Sequence, residues 1–157
     1  MSECTKNIEE MIKRMRSSFQ DKNLDAAATV LRLYRAREVL FTNVKPVMEQ
    51  YNLSPGEFDA LASLRKYGPP YELTPSNICQ ANLLSSGGLT KVLNNLEERG
   101  YITRKQNSED MRSRVVKLTK KGRELIEEAL STVFNRHEKN LANILTEKER
   151  QTLDKLL

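Results

Sequence analysis

The chain lacks tryptophan, and among its 157 residues it has only two cysteines and one histidine. His137 has no cysteine or histidine at ligand spacing, which disfavours a zinc site. Cys4 and Cys79 lie far apart in the sequence, which favours two free thiols in a reducing compartment over a disulfide framework. We therefore expect neither a metal nor another cofactor.

Long apolar runs and a secretory leader are also missing. The stretch up to Phe19 lacks the apolar core of a signal peptide and instead places Ile8, Met11, Ile12 and Met15 at helical spacing. Aromatic residues make up 6% of the chain and charged residues 30%, a balance typical of a helix-rich globular protein. The sequence predicts a cytoplasmic protein with no membrane partner.

Positive charge is concentrated in one segment of the chain. Residues 85–123 contain ten lysines and arginines against four acids, which gives +6; because the whole chain carries +5, the remainder carries −1. A basic segment of this kind favours an acidic partner such as nucleic acid.

Apolar spacing and capping signals predict a chain made mostly of helices. Residues 24–51 form one long helical pattern, which Pro46 is expected to bend near its end. The signals for further helix starts are Ser54-Pro55 with Glu57, Thr74-Pro75, Ser85, and Thr146 with Glu149.

Two short helices followed by a hairpin are predicted in the middle of the chain. Apolar residues from Leu89 to Leu96 recur at core spacing, so Lys91 and Asn94 fall on the opposite face of their helix. The segment 101–119 places apolar residues on both sides of a charged stretch, which predicts two short strands. The expected fold is mostly α with a small β wing, an α+β winged helix-turn-helix.

Gly87 and Gly88 lie in the first turn of the second of these helices, after Ser85 as its N-cap. Each glycine costs roughly 0.5–1 kcal/mol of helix stability relative to alanine. Close approach to phosphates, which the N-terminus of a helix attracts, would explain this cost; tight packing against a neighbouring helix is the alternative. The basic hairpin that follows favours DNA binding.

The predicted hairpin carries Arg112 and Arg114 near its tip, with Asp110 before them. An arginine at such a tip can enter the minor groove, and a nearby aspartate can hold its guanidinium in place. A solvated loop without a specific role is the alternative interpretation.

The run from Leu73 through the hairpin resembles the winged helix-turn-helix of the multiple-antibiotic-resistance regulator (MarR) family of bacterial transcription factors. The segment "LEERGYITR", the pair Asp110-x-Arg112 and the segment "LTKKGREL" carry this resemblance in combination. A long first helix, the segment "LSPGEFDAL" and two C-terminal helices occur in the family's order, so the resemblance extends over the rest of the chain.

The resemblance implies which residues contact double-stranded DNA. It makes Ser85, Ser86, Thr90 and Lys91 the recognition-helix contacts, and Arg112 the minor-groove arginine, oriented by Asp110. Arg114 stands where the family usually has an apolar or small residue, and we expect it to add a phosphate contact. Met111 departs from the family, which often has a second arginine there, and the two glycines replace side chains that many members use on DNA. Taken with the helix face and the basic hairpin, the resemblance predicts a set of DNA contacts, which are Ser85, Ser86, Gly87, Gly88, Thr90, Lys91, Asn94, Arg104, Asp110, Arg112 and Arg114.

The resemblance also implies a homodimer that binds a pseudo-palindromic operator. Residues 1–50 and 123–157 would form interlocked dimerisation helices, and residues 51–122 the DNA-binding lobe, within one compact domain. The apolar stripes of both terminal regions fit such a dimer, although they could also pack within one subunit.

In the family, small aromatic or phenolic effectors bind between the dimerisation helices and the DNA-binding lobe, and members are commonly repressors. A mixed apolar and cationic pocket is therefore predicted from Arg32, Tyr34, Arg35, Phe41 and Phe58. The chain shows no nucleophile paired with a base and no phosphate-binding glycine loop, so an enzyme is disfavoured. A winged-helix protein-interaction module, or a regulator of the same fold that senses oxidants through Cys4 or Cys79, stays open as an alternative.

Overall fold

A computed structural model describes residues 7–82, 86–106 and 114–157, and at positions 82, 86 and 87 the backbone alone. These residues form helices and one small sheet, which confirms the mostly α fold with a β wing. The helices are α1 (Ile8–Ser18), α2 (Asp25–Gln50), α3 (Pro55–Lys66), α4 (Pro75–Asn82), α5 (Ser86–Glu98), α6 (Lys120–Ala142) and α7 (Glu147–Leu156). The strands are β1 (Glu72–Leu73), β2 (Ile102–Gln106) and β3 (Arg114–Leu118).

The helix-start signals have the expected geometry where the structure describes them. The Ser54 hydroxyl accepts from the backbone N–H of Glu57, whose carboxylate accepts in return from the Ser54 N–H, which is a complete capping box for α3. Thr146 and Glu149 form the same box at α7. The long helix α2 continues through Pro46 to Gln50.

Contacts along the chain divide it into two compact units, Met1–Asn43 and Val44–Leu157. In the first unit, α1 and α2 bury Ile12 and Ala28. The Arg32 guanidinium of α2 donates two hydrogen bonds of 2.8 Å to the Glu9 carboxylate of α1, which lowers the pKa of Glu9. The three functional regions proposed for the sequence stay a prediction, because contacts alone do not define them.

The second unit has one continuous apolar core under the helix-turn-helix. Leu61 and Leu64 of α3, Ile78 of α4, Leu96 of α5 and Ile126 of α6 are fully buried in it. Helix α3 is the central element, because it contacts α4, α5, α6 and β3. The positions of α4 and α5 are therefore set by their packing on α3.

The three strands form an antiparallel sheet in the order β1-β3-β2. Leu73 of β1 lies opposite Val116, and the Lys117 ammonium bonds the Glu72 carboxylate across the strands at 2.6 Å. The sequence predicted β2 and β3 but not β1, since two residues are too few to show alternation. This short strand attaches the wing to the chain just before α4.

Candidate nucleic-acid interface

Helix α5 presents a buried face and an exposed face, as its sequence predicts. Leu89, Leu93 and Leu96 are buried, and Val92 packs partly buried against the same core. On the other side, the predicted DNA contacts Gly88, Thr90, Lys91 and Asn94 are exposed. Ser86 and Gly87 belong to the first turn of α5, whereas Ser85 lies outside the described residues. The exposed face of α5 thus carries, in chain order, the Thr90 hydroxyl, the Lys91 ammonium and the Asn94 amide.

Helix α5 ends in a turn that leads directly into the wing. Gly100 has a φ of +72°, and the Tyr101 N–H donates to the Leu96 carbonyl at 2.9 Å, which closes the C-terminus of the helix. The Tyr101 ring lies between two cations, with the Arg99 guanidinium at 4.9 Å and the Lys121 ammonium at 4.8 Å from its centroid. The junction of α5, β2 and α6 is therefore packed around one aromatic ring.

Arg99 also connects the end of α5 to the start of α3. Its guanidinium donates to the Asn52 carbonyl at 2.8 Å and to the Glu57 carboxylate at 3.4 Å. Glu57 is 5% exposed, so this capping residue is buried with a cationic partner. The approach of α3 to α5 is close, since a Cβ on Gly56 would lie 3.0 Å from Cγ2 of Val92.

Arg104, which was predicted to contact DNA, has partners within the chain, and its role on DNA stays a prediction. The side chain is 20% exposed and lies over α5, where it bonds Asn94 and pairs with Glu97. Its charge alone suggested a DNA contact, and only the packing of β2 against α5 shows the internal partners. Arg114, by contrast, is exposed at the start of β3, opposite Gln106. Asp110 and Arg112 lie outside the described residues, so their roles stay predictions.

Comparisons with known proteins identify the fold and the family. The sequence model of the family described as "Transcriptional regulator SarA/Rot" matches residues 42–129. The chain is also 31% identical over 153 residues to the HTH-type transcriptional regulator PecS of Dickeya dadantii, covering 96% of this chain and 90% of the relative. The chain belongs to the MarR and SarA/Rot group of transcriptional regulators.

Solved structures of MarR-family regulators share this fold. The crystal structure of NadR in complex with 4-hydroxyphenylacetate is 26% identical, with a TM-score of 0.67, and the match covers 86% of this chain and 90% of that one. Apo MarR from E. coli is 25% identical, with a TM-score of 0.68 and coverage of 79% and 89%. The resemblance to the MarR family is confirmed.

Two of the five residues predicted to line the effector pocket of this MarR-type regulator share one cavity. Tyr34 and Arg35 line a cavity of about 450 Å³ between α1 and α2, and Arg35 bonds Glu38 at 2.6 Å. Arg32 is instead held by Glu9, and Phe41 is exposed. Phe58 is buried in the core because the apolar stripe of α3 faces inward, and its place in an effector pocket stays a prediction.

A second concave surface, the α3–α6 groove, was not predicted from the sequence. This open groove of about 1220 Å³ is lined by Asp59, Lys66 and Tyr67 of α3 and its flank, and by Phe134 of α6. Burial raises the pKa of the Asp59 carboxyl above its usual range. The groove combines aromatic walls with a cation and a perturbed acid, which is typical of a small-molecule site.

Of the two cysteines in the chain, the structure describes Cys79. Cys79 of α4 is a free thiol that packs partly buried against the core, and Cys4 lies outside the described residues. Across the ranges that the structure describes, no helix combines the length and apolarity that crossing a bilayer requires.

Proposed function

We propose that this chain is a dimeric, sequence-specific DNA-binding regulator in the bacterial cytoplasm, which acts as a repressor released by a small phenolic ligand. The observation that carries the proposal is the exposed face of α5, where Lys91 and Asn94 stand beside a positively charged wing. A helix with such a face fits the major groove, with its N-terminal turn toward the phosphates.

Apolar surface on the terminal helices supports the dimer. Exposed large apolar side chains occur on α1, α2, α6, α7 and the turns that adjoin them rather than on α5 or the described part of the wing, so these helices offer apolar surface to a partner. These side chains include Met11, Val30, Leu33, Phe41, Phe134, Ile144, Leu153 and Leu156. Two interlocked copies would present two α5 helices to half-sites about one helical turn apart.

A duplex titration tests the DNA-binding part. By fluorescence anisotropy, the protein should bind duplex from the upstream region of its own gene at least a hundredfold more tightly than a scrambled duplex, with two chains per site. Log affinity should fall linearly with log salt concentration, because bound cations release counterions. Lys91→Ala should weaken binding and lower the salt slope by about 1 if Lys91 contacts a phosphate, or relax base preference if it contacts a base.

Lys148→Ala provides the control, since this exposed lysine lies on α7 and outside the helix-turn-helix. It should bind the duplex as the native chain does. Absence of salt-sensitive binding to either duplex would contradict the proposal and favour a protein-interaction module. Loss of duplex binding on peroxide treatment that Cys79→Ser or Cys4→Ser prevents would instead support the redox-sensing alternative.

The α3–α6 groove supports the effector part of the proposal. Helix α3 forms one wall of the groove and also contacts α4 and α5, so a ligand that moves α3 would move both helices of the helix-turn-helix. Lys66 can pair with a carboxylate, while Asp59 can bond a phenolic hydroxyl. NadR binds 4-hydroxyphenylacetate, a molecule with both groups. We therefore propose phenolic carboxylates as the effector class.

A release assay tests this assignment. Saturating 4-hydroxyphenylacetate or a related phenolic carboxylate should weaken duplex binding by between about fivefold and 150-fold, the usual range of coupling. Lys66→Ala should abolish the release while duplex binding without ligand is retained. Arg35→Ala is the matched variant in the α1–α2 cavity and should still be released. Release that Arg35→Ala abolishes and Lys66→Ala retains would place the effector in the α1–α2 cavity. If no phenolic carboxylate released the duplex, the effector proposal would be contradicted.

A further inference from the structure

The wing strand β2 is attached to the recognition helix through one arginine. The Nη2 of Arg104 donates to Oδ1 of Asn94 at 2.7 Å, and its Nε lies 3.4 Å from Oε2 of Glu97. The backbone N–H of Arg104 donates to the other Glu97 oxygen at 3.1 Å. Asn94 and Glu97 lie one turn apart on α5, so β2 is attached to two successive positions of the helix.

This contact determines which way the Asn94 amide faces. A guanidinium has only hydrogen-bond donors, so the group that Asn94 turns toward Arg104 must be its carbonyl oxygen. The NH2 of the same amide then points away from Arg104, on a residue that is exposed to solvent. Arg104 is the better shielded partner, at 20% exposure, and its charge strengthens the hydrogen bond.

We propose that Arg104 is a positioning residue for DNA recognition, which holds the wing on α5 and fixes Asn94 as a hydrogen-bond donor. The inference rests on the proposed DNA-binding role of α5. An asparagine that reads adenine uses its oxygen and its NH2 together, as acceptor and donor. With the oxygen engaged by Arg104, Asn94 offers its NH2 to an acceptor on the base edge, for which guanine O6 and N7 are suited.

A double-mutant cycle tests the contact. A duplex selected by the native protein from a random pool would be titrated with Arg104→Met, Asn94→Ala and the double variant, after circular dichroism confirms that each folds. Arg104→Met should lower the affinity at least tenfold with little change in the salt slope. In the Asn94→Ala background the same substitution should cost threefold or less, because the partner is already missing.

Lys105→Ala is the matched control, since it removes an exposed cation from the next residue of β2. Its effect on affinity should add to that of Asn94→Ala. If Arg104→Met and Asn94→Ala were also additive, the inference would be overturned. A salt slope lowered by about 1 in Arg104→Met, with full affinity restored by Arg104→Lys, would show a direct phosphate contact instead.

The base preference provides a second test. Replacement of individual guanines of the selected duplex by 7-deazaguanine, which lacks the N7 acceptor, should weaken native binding at one position and leave Asn94→Ala unaffected there. Loss of native affinity on removal of an adenine N6 amino donor, with no loss on removal of any N7 acceptor, would contradict the donor role.

A measurement without DNA separates this inference from the proposed function. The side-chain amide resonances of Asn94 in 15N NMR spectra should shift in Arg104→Met and not in Lys105→Ala. If the native protein bound no duplex but this shift were seen, the proposed function would fail while the contact stood. If duplex binding were specific but the resonances did not move, the positioning role would fail alone.

Discussion

Gly122→Ala is expected to destabilise the second unit by on the order of 3 kcal/mol, the upper range for overpacking. A Cβ at this position in the first turn of α6 would lie 2.0 Å from the Tyr101 carbonyl oxygen and 2.8 Å from the carbonyl carbon. That oxygen cannot move easily, because it accepts from the N–H and the hydroxyl of Thr119, each at 3.1 Å. Urea unfolding followed by circular dichroism measures the loss.

The sign of this effect is informative, since alanine is favoured over glycine inside a helix by up to about 1 kcal/mol. Gly56→Ala is the matched control, because its new Cβ would meet only Cγ2 of Val92, at 3.0 Å. A side-chain methyl can shift where a backbone carbonyl cannot, so Gly56→Ala should cost less than about 1 kcal/mol. A Gly122→Ala variant as stable as the native chain would refute the close packing of α6 on Tyr101.

Glu57→Ala should lower the free energy of unfolding by about 2 kcal/mol. The carboxylate accepts from the N–H and hydroxyl of Ser54, both at 2.8 Å, and from the Arg99 guanidinium. Its removal would leave the α3 cap incomplete and the partly buried Arg99 guanidinium without its carboxylate partner. Glu57→Gln should cost less, since an amide oxygen can still accept at the cap. Thermal and urea unfolding measure both losses.

The second capping box supplies the control for Glu57. Glu149 makes the same hydrogen bonds with Thr146 on α7, but in an exposed position. Glu149→Ala should therefore destabilise the chain much less than Glu57→Ala. Equal losses would show that the cap alone, and not burial with Arg99, gives Glu57 its importance.

The features that the sequence predicted well are those determined within a few residues of the chain. The Ser54 and Thr146 boxes depend on side chains three residues apart, and the buried stripe from Leu89 to Leu96 depends on helical periodicity. A glycine at position 100, where φ is positive, is an equally local signal for the end of α5. The fold class followed from these local signals in combination, whereas the family followed from the resemblance of three short segments to known regulators.

The features that the sequence did not predict depend on partners far along the chain. Strand β1 exists because residues 72–73 meet β3, and Gly122 is needed because Tyr101 approaches it. The sequence shows the charge of Arg104, which suggested a DNA contact. It does not show that the Arg104 side chain contacts α5. Phe58 was predicted to line a pocket because an aromatic residue on α3 can point toward a cavity or into the core. In the structure it lies in the core.

The core of the second unit has a consequence for synthesis on the ribosome. It extends from Val44 on α2 to Val133 on α6, and strand β1 pairs with residues 116–117, more than forty positions later. A nascent chain that ends within the wing already contains α3, α4 and α5 but lacks Ile126 and Ala129, which complete their core. Domains generally fold as units as the chain emerges. The core around α3, α4 and α5 is therefore complete only after α6 has left the exit tunnel, and until then the apolar faces that α6 covers stay exposed.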